Sequence, residues 1–446
     1  MSKMIHIMGA GLAGSLMAVL LGNRGYSVQV YERRPDMRKT PMDAGRSINL
    51  ALSARGLAAL ERAGVKDAVL DLAIPMRGRM IHDLSGDLDF QPYSNDPANY
   101  INSVSRSELN MRLMDAAEDH PAVNIEFDVA CHEADLEAGS VSLLTAATGE
   151  TREIKDEIVL GCDGAFSALR SAMQRTQRFN YSQDFITHGY KELTIPADAN
   201  GDYQLEPNAL HIWPRGQFMM IALPNQDRSF TCTLFFPFKG PDSFEELQTQ
   251  DQVEGFFDKT FPDAVPLIPD LWTDFRDNPI GDLVTIRCWP WTYGGQFGLI
   301  GDSAHAVVPF FGQGMNAAFE GCHVLHDCLE ANKDDWPKAF AQYQETCKPN
   351  ADAIARMALE NYIEMRELVA DPDFVFMNEL DHYLEQHHPI YKSRYEMISF
   401  SRIPYAEAYR RGEINKEILA KLTAGVDSIE NVDMKAADAL IDALLS

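Results

Sequence analysis

Positive charge is scarce in this chain. Its 446 residues hold 39 Lys and Arg against 66 Asp and Glu, a formal net charge of -27 at pH 7 and an isoelectric point near 4.8. Phosphate backbones and anionic lipid bind to local surpluses of Lys and Arg, so the balance argues against nucleic-acid binding and against a peripheral membrane role. A disulfide framework is lacking too. The seven cysteines are odd in number, scattered, and include no C-x-x-C pair, which points to reduced thiols in a cytoplasm rather than to secretion. No long unbroken apolar run is present either. The longest stretch, Ile5 to Gly22, is interrupted by His6, Ser15 and four glycines, whereas a spanning helix needs about 20 mostly apolar residues. The chain starts Met-Ser-Lys and runs straight into a strand, without a charged leader or cleavage site. A cytoplasmic protein with no membrane anchor is expected. Internal repeats and low-complexity tracts are missing as well.

What the chain does have is core-forming material. It is 46% hydrophobic and 10% aromatic, enough for roughly two to three domains at this length. A small-molecule enzyme is the class that remains. Cys322, His323, His326 and Cys328 form the one local group of metal-ligand types. Cys322 with His326, or His323 with His326, could share a helix face, but no second pair of ligands stands opposite them. They read as buried core residues, and no metal is expected.

Residues 4–8 are an apolar strand, followed by Gly9-Ala-Gly11-Leu12-Ala13-Gly14 and a helical run to Arg24. Tyr26 to Tyr31 is a second strand ending at Glu32. In this order Gly9 permits the tight turn, Gly11 lets backbone approach a pyrophosphate, and Gly14 lets helix and sheet pack closely. The helix start offers unpaired N–H groups to phosphate. Glu32, 18 residues past Gly14, is placed to accept from a ribose hydroxyl. Arg33, Arg34, Arg38, Lys39 and Arg46 follow as a local cationic group that would help a polyanionic cofactor to dock.

Further on, the spacing over 56–72 predicts helix, Ile74 to Tyr93 reads as strands of a second sheet, and Ser107 is expected to cap a helix ending at Glu118. Segments 123–130 and 140–147 alternate as strands. Glu157 to Gly161 is an apolar strand with Cys162-Asp163-Gly164 directly behind it. Residues 181–290 alternate strand-like runs with Pro, Gly and Asn turns, as an antiparallel sheet would. Leu299-Ile-Gly301-Asp302 is another strand end, followed by Pro309-Phe310-Phe311-Gly312-Gln313-Gly314-Met315-Asn316 and a helix from Ala317. Beyond Trp336 helices dominate. Met434, Ala437, Leu440, Ile441, Leu444 and Leu445 form an apolar stripe, opposed by Asp433, Asp438 and Asp442, so this last helix is expected to pack on the body and cover the substrate site.

Three separated segments therefore look like parts of one cofactor site: the glycine turn with Glu32, the Asp163-Gly164 pair, and the Asp302 strand end with the Gly312–Gly314 loop. With these motifs the chain resembles the single-component FAD-dependent aromatic hydroxylases of the para-hydroxybenzoate hydroxylase fold. The resemblance narrows to the branch that hydroxylates kynurenine through Gly45-Arg-Ser-Ile-Asn-Leu-Ala-Leu52, Met76-Arg-Gly-Arg-Met80, Leu205-Glu-Pro-Asn-Ala-Leu-His-Ile-Trp-Pro214, Pro309 to Asn316, Met357-Ala-Leu-Glu-Asn-Tyr362 and Phe400-Ser-Arg-Ile-Pro-Tyr405. These motifs run nearly the whole length. Two departures stand out. Cys162 stands where alanine is usual, and the C-terminus is expected to carry no membrane anchor of the kind eukaryotic relatives have.

The resemblance implies an α/β chain, α+β overall. It comprises a Rossmann-like FAD-binding domain (1–73, 101–180 and 285–335), an inserted antiparallel-sheet substrate domain (74–100 and 181–284) and a C-terminal helical cap (336–446). It implies FAD as bound cofactor, NADPH as transient co-substrate, and L-kynurenine with O2 as partners, the oxygen passing through a flavin C4a-hydroperoxide. Arg106, Leu12, Ala13, Met315 and Asn316 join the cofactor site, while Gly312, Gln313 and Gly314 would face the flavin ring. A carboxylate in a dry pocket wants a forked Arg and neutral donors. Arg79, Tyr93, Asn361 and Tyr395 are carried over to that role, with Phe310, Phe311 and Met365 as apolar wall. Two alternatives remain: a hydroxylase of another aromatic amine or acid, and a non-catalytic escort protein on the same fold.

Overall fold

The computed structural model describes residues 4–39, 48–94, 96–364, 372–426 and 428–445. At its centre the strand Met4–Met8 is flanked by two parallel neighbours, Ser27–Glu32 and Ile158–Gly161. The six-stranded sheet continues outward through Val123–Phe127 on one side and through Phe297–Leu299 and Thr292–Tyr293 on the other. Strands covered on both faces carry continuous apolar runs rather than alternation, and Ile5, Ile7, Val159 and Leu160 are all buried. The helix Leu12–Asn23 is apolar all round because it is enclosed, with every residue from Gly14 to Gly22 buried. Two glycines make that seating possible. Gly9 adopts φ +99°, and a Cβ on it would stand 2.5 Å from the Cys162 carbonyl oxygen. A Cβ on Gly14 would strike the Gly9 carbonyl.

A seven-stranded sheet forms the second layer. Its order is Gly281–Trp289, Asn180–Ile195, Phe230–Pro237, Phe218–Pro224, Ala209–Arg215, Gly78–His82 and Leu88–Pro92. All neighbours are antiparallel except Ala209–Arg215 with Gly78–His82. One face packs on two helices, Gln250–Thr260 and Leu271–Asp277, around Trp213, Phe236, Phe257 and Phe261. A Thr249/Gln252 capping box starts the first of these. On the same side His82 Nδ1 meets Asp263 Oδ2 at 2.7 Å and His82 Nε2 meets His211 Nδ1 at 2.8 Å, while Trp213 Nε1 donates to Asp263 Oδ2 at 2.8 Å.

Several expectations shift in detail. Ile74–Met76 pairs with Ile101–Ser105 in a separate three-stranded sheet, not with the larger one. The helix Arg106–Glu118 is capped by Ser105, whose side chain accepts from the Glu108 N–H, rather than by Ser107. The 123–130 segment breaks at Asp128, which has φ 59°, into a parallel strand and the first strand of a three-stranded meander. The cap comprises the helices Trp336–Ile363, Pro372–His387, Arg394–Ser399, Tyr405–Thr423 and Met434–Leu445. In the last, Ala437 and Ile441 pack with Leu380, Leu384, Tyr391 and Ile418. That helix closes a core inside the cap and does not line the substrate cavity.

Candidate active site

A cavity of about 320 Å³ lies where the two large sheets and the cap meet. Its cofactor half is built from strand ends. Gly11 is the N-cap of Leu12–Asn23 and would have nothing within 4 Å of an added Cβ, so a ligand can come up to its backbone. Leu12, Ala13 and Gly164 line the same wall, the last with φ +79° and open space before it. Asp302 is exposed into the cavity at the start of a short helix behind Gly301. Gly312, Gly314 and Met315 line it as well, as does Arg106. Neither Leu12–Asn23 nor Gly314–Ala331 has a side-chain cap or an acid in its first turn. Both therefore present unpaired N–H groups and positive helix ends.

Other expected cofactor residues hold the scaffold. Glu32 is buried, its Oε2 accepting from Ala10 N–H at 2.9 Å and its Oε1 from Arg34 Nε at 2.8 Å. Asp163 accepts from the Ala168 and Leu169 N–H groups through Oδ2, while its Oδ1 is buried without a partner. Burial raises its carboxyl above the usual range. Gln313 donates to Ser53 Oγ at 3.4 Å and accepts from the Tyr405 hydroxyl at 2.8 Å. Asn316 accepts from Ser53 N–H and donates to the Ala51 and Gly312 carbonyls at 2.8 and 3.0 Å. Neither side chain lines the cavity, so they fix the 312–316 loop while its backbone faces inward.

The expected cationic group is largely neutralised. Arg34 pairs with Glu32, and Arg38 with Asp36, Asp115 and Glu118. The Arg38 guanidinium holds the Asp36 carboxyl down to about 2. Acidic neighbours thus consume cations that the sequence order presents as free. Arg33 is exposed at the strand end. Arg46 and Met365 lie outside the described residues.

The flavin fits this half. An orphaned Asp163 oxygen, a glycine cradle and two uncapped helix starts supply what a dinucleotide and an electron-poor ring require.

The other half is an aromatic box around one cation. Arg79, on Gly78–His82, stands 5.0 Å from the Tyr395 ring centroid and 5.6 Å from that of Tyr93, and those two rings stack at 5.0 Å. Among the described residues no carboxylate pairs with Arg79. The Tyr93 phenol is buried beside Tyr395 and Arg79, and burial pushes it well above the usual range. Asn361 Nδ2 donates to the Phe310 carbonyl at 2.6 Å, tying the long cap helix to the cofactor loop. Phe310 lies between Phe235 and Tyr362 at 4.9 and 4.3 Å, and Phe311 faces Tyr395 at 6.0 Å. Sequence reading missed the sheet floor: Leu210, Met219, Ile221, Leu223, Thr233, Phe235 and Tyr190 all line the cavity. Their only signal is strand alternation, which does not say which face meets a ligand.

A dinucleotide turn, flavin-facing helix starts and an antiparallel-sheet chamber around an arginine boxed by aromatic rings are the architecture of FAD-dependent hydroxylases. A family model described as FAD binding domain matches residues 2–358. Among solved structures, 2-methyl-3-hydroxypyridine-5-carboxylic acid oxygenase is similar at TM-score 0.68 and 19% identity, over 84% of this chain and 95% of that one. Tetracycline destructase Tet(51) is similar at TM-score 0.62 and 19% identity, over 91% and 99%. These likenesses speak for the fold. Kynurenine 3-monooxygenase of Myxococcus xanthus (strain DK1622) is 47% identical over 99% of this chain and 95% of that protein. The enzyme of that name from Dictyostelium discoideum is 47% identical over 100% and 99%. The chain belongs to the kynurenine 3-monooxygenase family of FAD-binding proteins. Fold, flavin cofactor and monooxygenase class follow from that membership. Among the described residues no helix is long and apolar enough to cross a membrane.

Proposed function

We propose that this chain converts L-kynurenine, NADPH, O2 and a proton into 3-hydroxykynurenine, NADP+ and water. The observation that carries the reading is Arg79, a cation with no anion paired to it among the described residues, at one end of an apolar chamber whose other wall is the cofactor loop. A guanidinium in such a place is suited to an amino-acid carboxylate through paired charge-assisted bonds. The buried Tyr93 hydroxyl donates a further bond to that carboxylate, and Asn361 and Tyr395 frame it. Phe310, Phe311 and the sheet floor hold the aromatic body and exclude water, which preserves a reactive oxygen donor from wasteful decay. Bound FAD supplies the electron transfer from NADPH and the delivery of one oxygen atom to the ring. The helix start at Gly314 aims N–H groups and a positive dipole where negative charge develops on the reduced cofactor. The ring amine activates its ortho carbon, so the chain needs no strong general base there. A reducing cytoplasm suits the seven unpaired cysteines, six of them buried.

The test is NADPH oxidation by the flavin-loaded protein with and without kynurenine, with products separated by chromatography. Kynurenine should accelerate oxidation and yield 3-hydroxykynurenine. If neither happens, the proposal fails.

A further inference from the structure

The floor of the chamber is apolar except at its far side. Facing side chains come from neighbouring strands, beginning with Arg79 beside Leu210 and continuing through Ile221 to Thr233. Ile221 and Thr233 are direct cross-strand partners. Thr233 lines the cavity and is only 5% exposed, and its hydroxyl makes no hydrogen bond with any described residue. Valine would fill the same space without burying an unpaired hydroxyl, which is unfavourable in an apolar wall. Tyr190, one strand further on, also reaches the cavity. Its phenol end, however, packs over Gly281, with the hydroxyl 2.7 Å from where a Cβ there would stand. Among the described residues of the floor that line the cavity, Thr233 is the polar group left facing the ring; Glu192, its buried cross-strand neighbour, does not line the cavity.

Register gives the path. The row through Arg79 runs by Leu210 and Leu223 to Thr231, so Thr233 lies three strands away in the sheet order and two residues along the strand. A molecule anchored at Arg79 and lying on Leu210 and Ile221 therefore crosses the floor obliquely toward Thr233.

We infer that Thr233 reads the ring amine of the substrate, its hydroxyl accepting a hydrogen bond from the aniline N–H. This rests on the proposed kynurenine activity and adds to it the group that sets ring specificity. Accepting from N–H, rather than donating to nitrogen, leaves the lone pair conjugated and polarises the bond toward oxygen. Electron density then rises at the ortho carbon, where hydroxylation occurs. A donor at that position would do the opposite.

Binding constants from flavin absorbance changes of the loaded protein test this, using kynurenine and its analogue without the ring amine, 2-amino-4-oxo-4-phenylbutanoate. Thr233→Val should weaken kynurenine about 5- to 20-fold, the worth of one neutral hydrogen bond with its desolvation, and leave the analogue unchanged. Thr233→Ser, which keeps the hydroxyl, should restore most of the preference. The coupling of NADPH oxidation to product should fall in the Val variant while flavin content stays normal. An unchanged ratio between the two ligands overturns the assignment. Equal weakening of both overturns it too, by making Thr233 a packing residue. If the wild-type protein forms no 3-hydroxykynurenine, the activity reading itself fails and this inference falls with it, a result visible before any variant is made.

Discussion

Arg79 sits among rings, not acids, whereas Arg38 is ringed by carboxylates. Its removal should therefore act on substrate and spare the cofactor. Arg79→Ala should weaken kynurenine binding by on the order of 2–4 kcal/mol, read as a raised Kd in flavin absorbance titrations, with flavin content near the wild-type level. Loss of flavin instead would show that the residue belongs to the other half of the site. Arg79 and Tyr93 were legible because short motifs carry them. The working partners of Gln313 and Asn316 were not. Ser53, Ala51 and Tyr405 come from distant segments, and no local spacing announces a hydrogen bond that depends on tertiary packing. The same holds for Arg38, whose neutralising acids Asp115 and Glu118 lie on a helix far along the chain.

At the scale of elements, the loop 312–316 is held by side chains and used through its backbone. Asn316→Ala would remove one acceptor and two donated bonds at a position with no solvent exposure. At about 1–3 kcal/mol for each buried group left unpaired, it should lower the thermal midpoint by several degrees and reduce flavin retention, measured by fluorescence after gel filtration. An unchanged midpoint with full flavin would mean the loop is held elsewhere. The glycine turn, both large sheets and the long cap helix were readable from periodicity and turn residues. The helices Gln250–Thr260 and Leu271–Asp277 were not, because they sit inside a region dominated by strand signals. Ser105 and Ser107 are both good capping types, and only the backbone path selects Ser105.

Across the whole molecule, buried titratable groups set an acid limit. Burial pushes His211 down from 6.5 to about 4, and burial followed by Arg152 does the same to His6. Each is neutral in the fold but gains a proton on unfolding below 6.5, so their stabilisation is complete above that value and is lost as pH falls toward 4. Asp381 works in the opposite sense. Burial raises it to about 6, so its contribution is present at low pH and lost as pH rises through 6. Two histidines against one acid predict a net loss of stability from pH 7 to 5, visible as a falling thermal midpoint. His211→Gln should make that fall shallower; an equal or steeper slope would remove His211 from the account.

The strand Met4–Met8 leaves the ribosome well before its partner Ile158–Gly161, which follows about 150 residues later, and Phe297–Leu299 and the helix Gly314–Ala331 come later still. A nascent chain can make the glycine turn early but cannot close the wall around it. Such non-local pairing is slow to form and exposes unpaired strand edges meanwhile. Flavin can be retained only once most of the protein has been synthesised, so cofactor loading is a late event in its biogenesis, and a chain arrested before the helix Gly314–Ala331 would be released without its flavin.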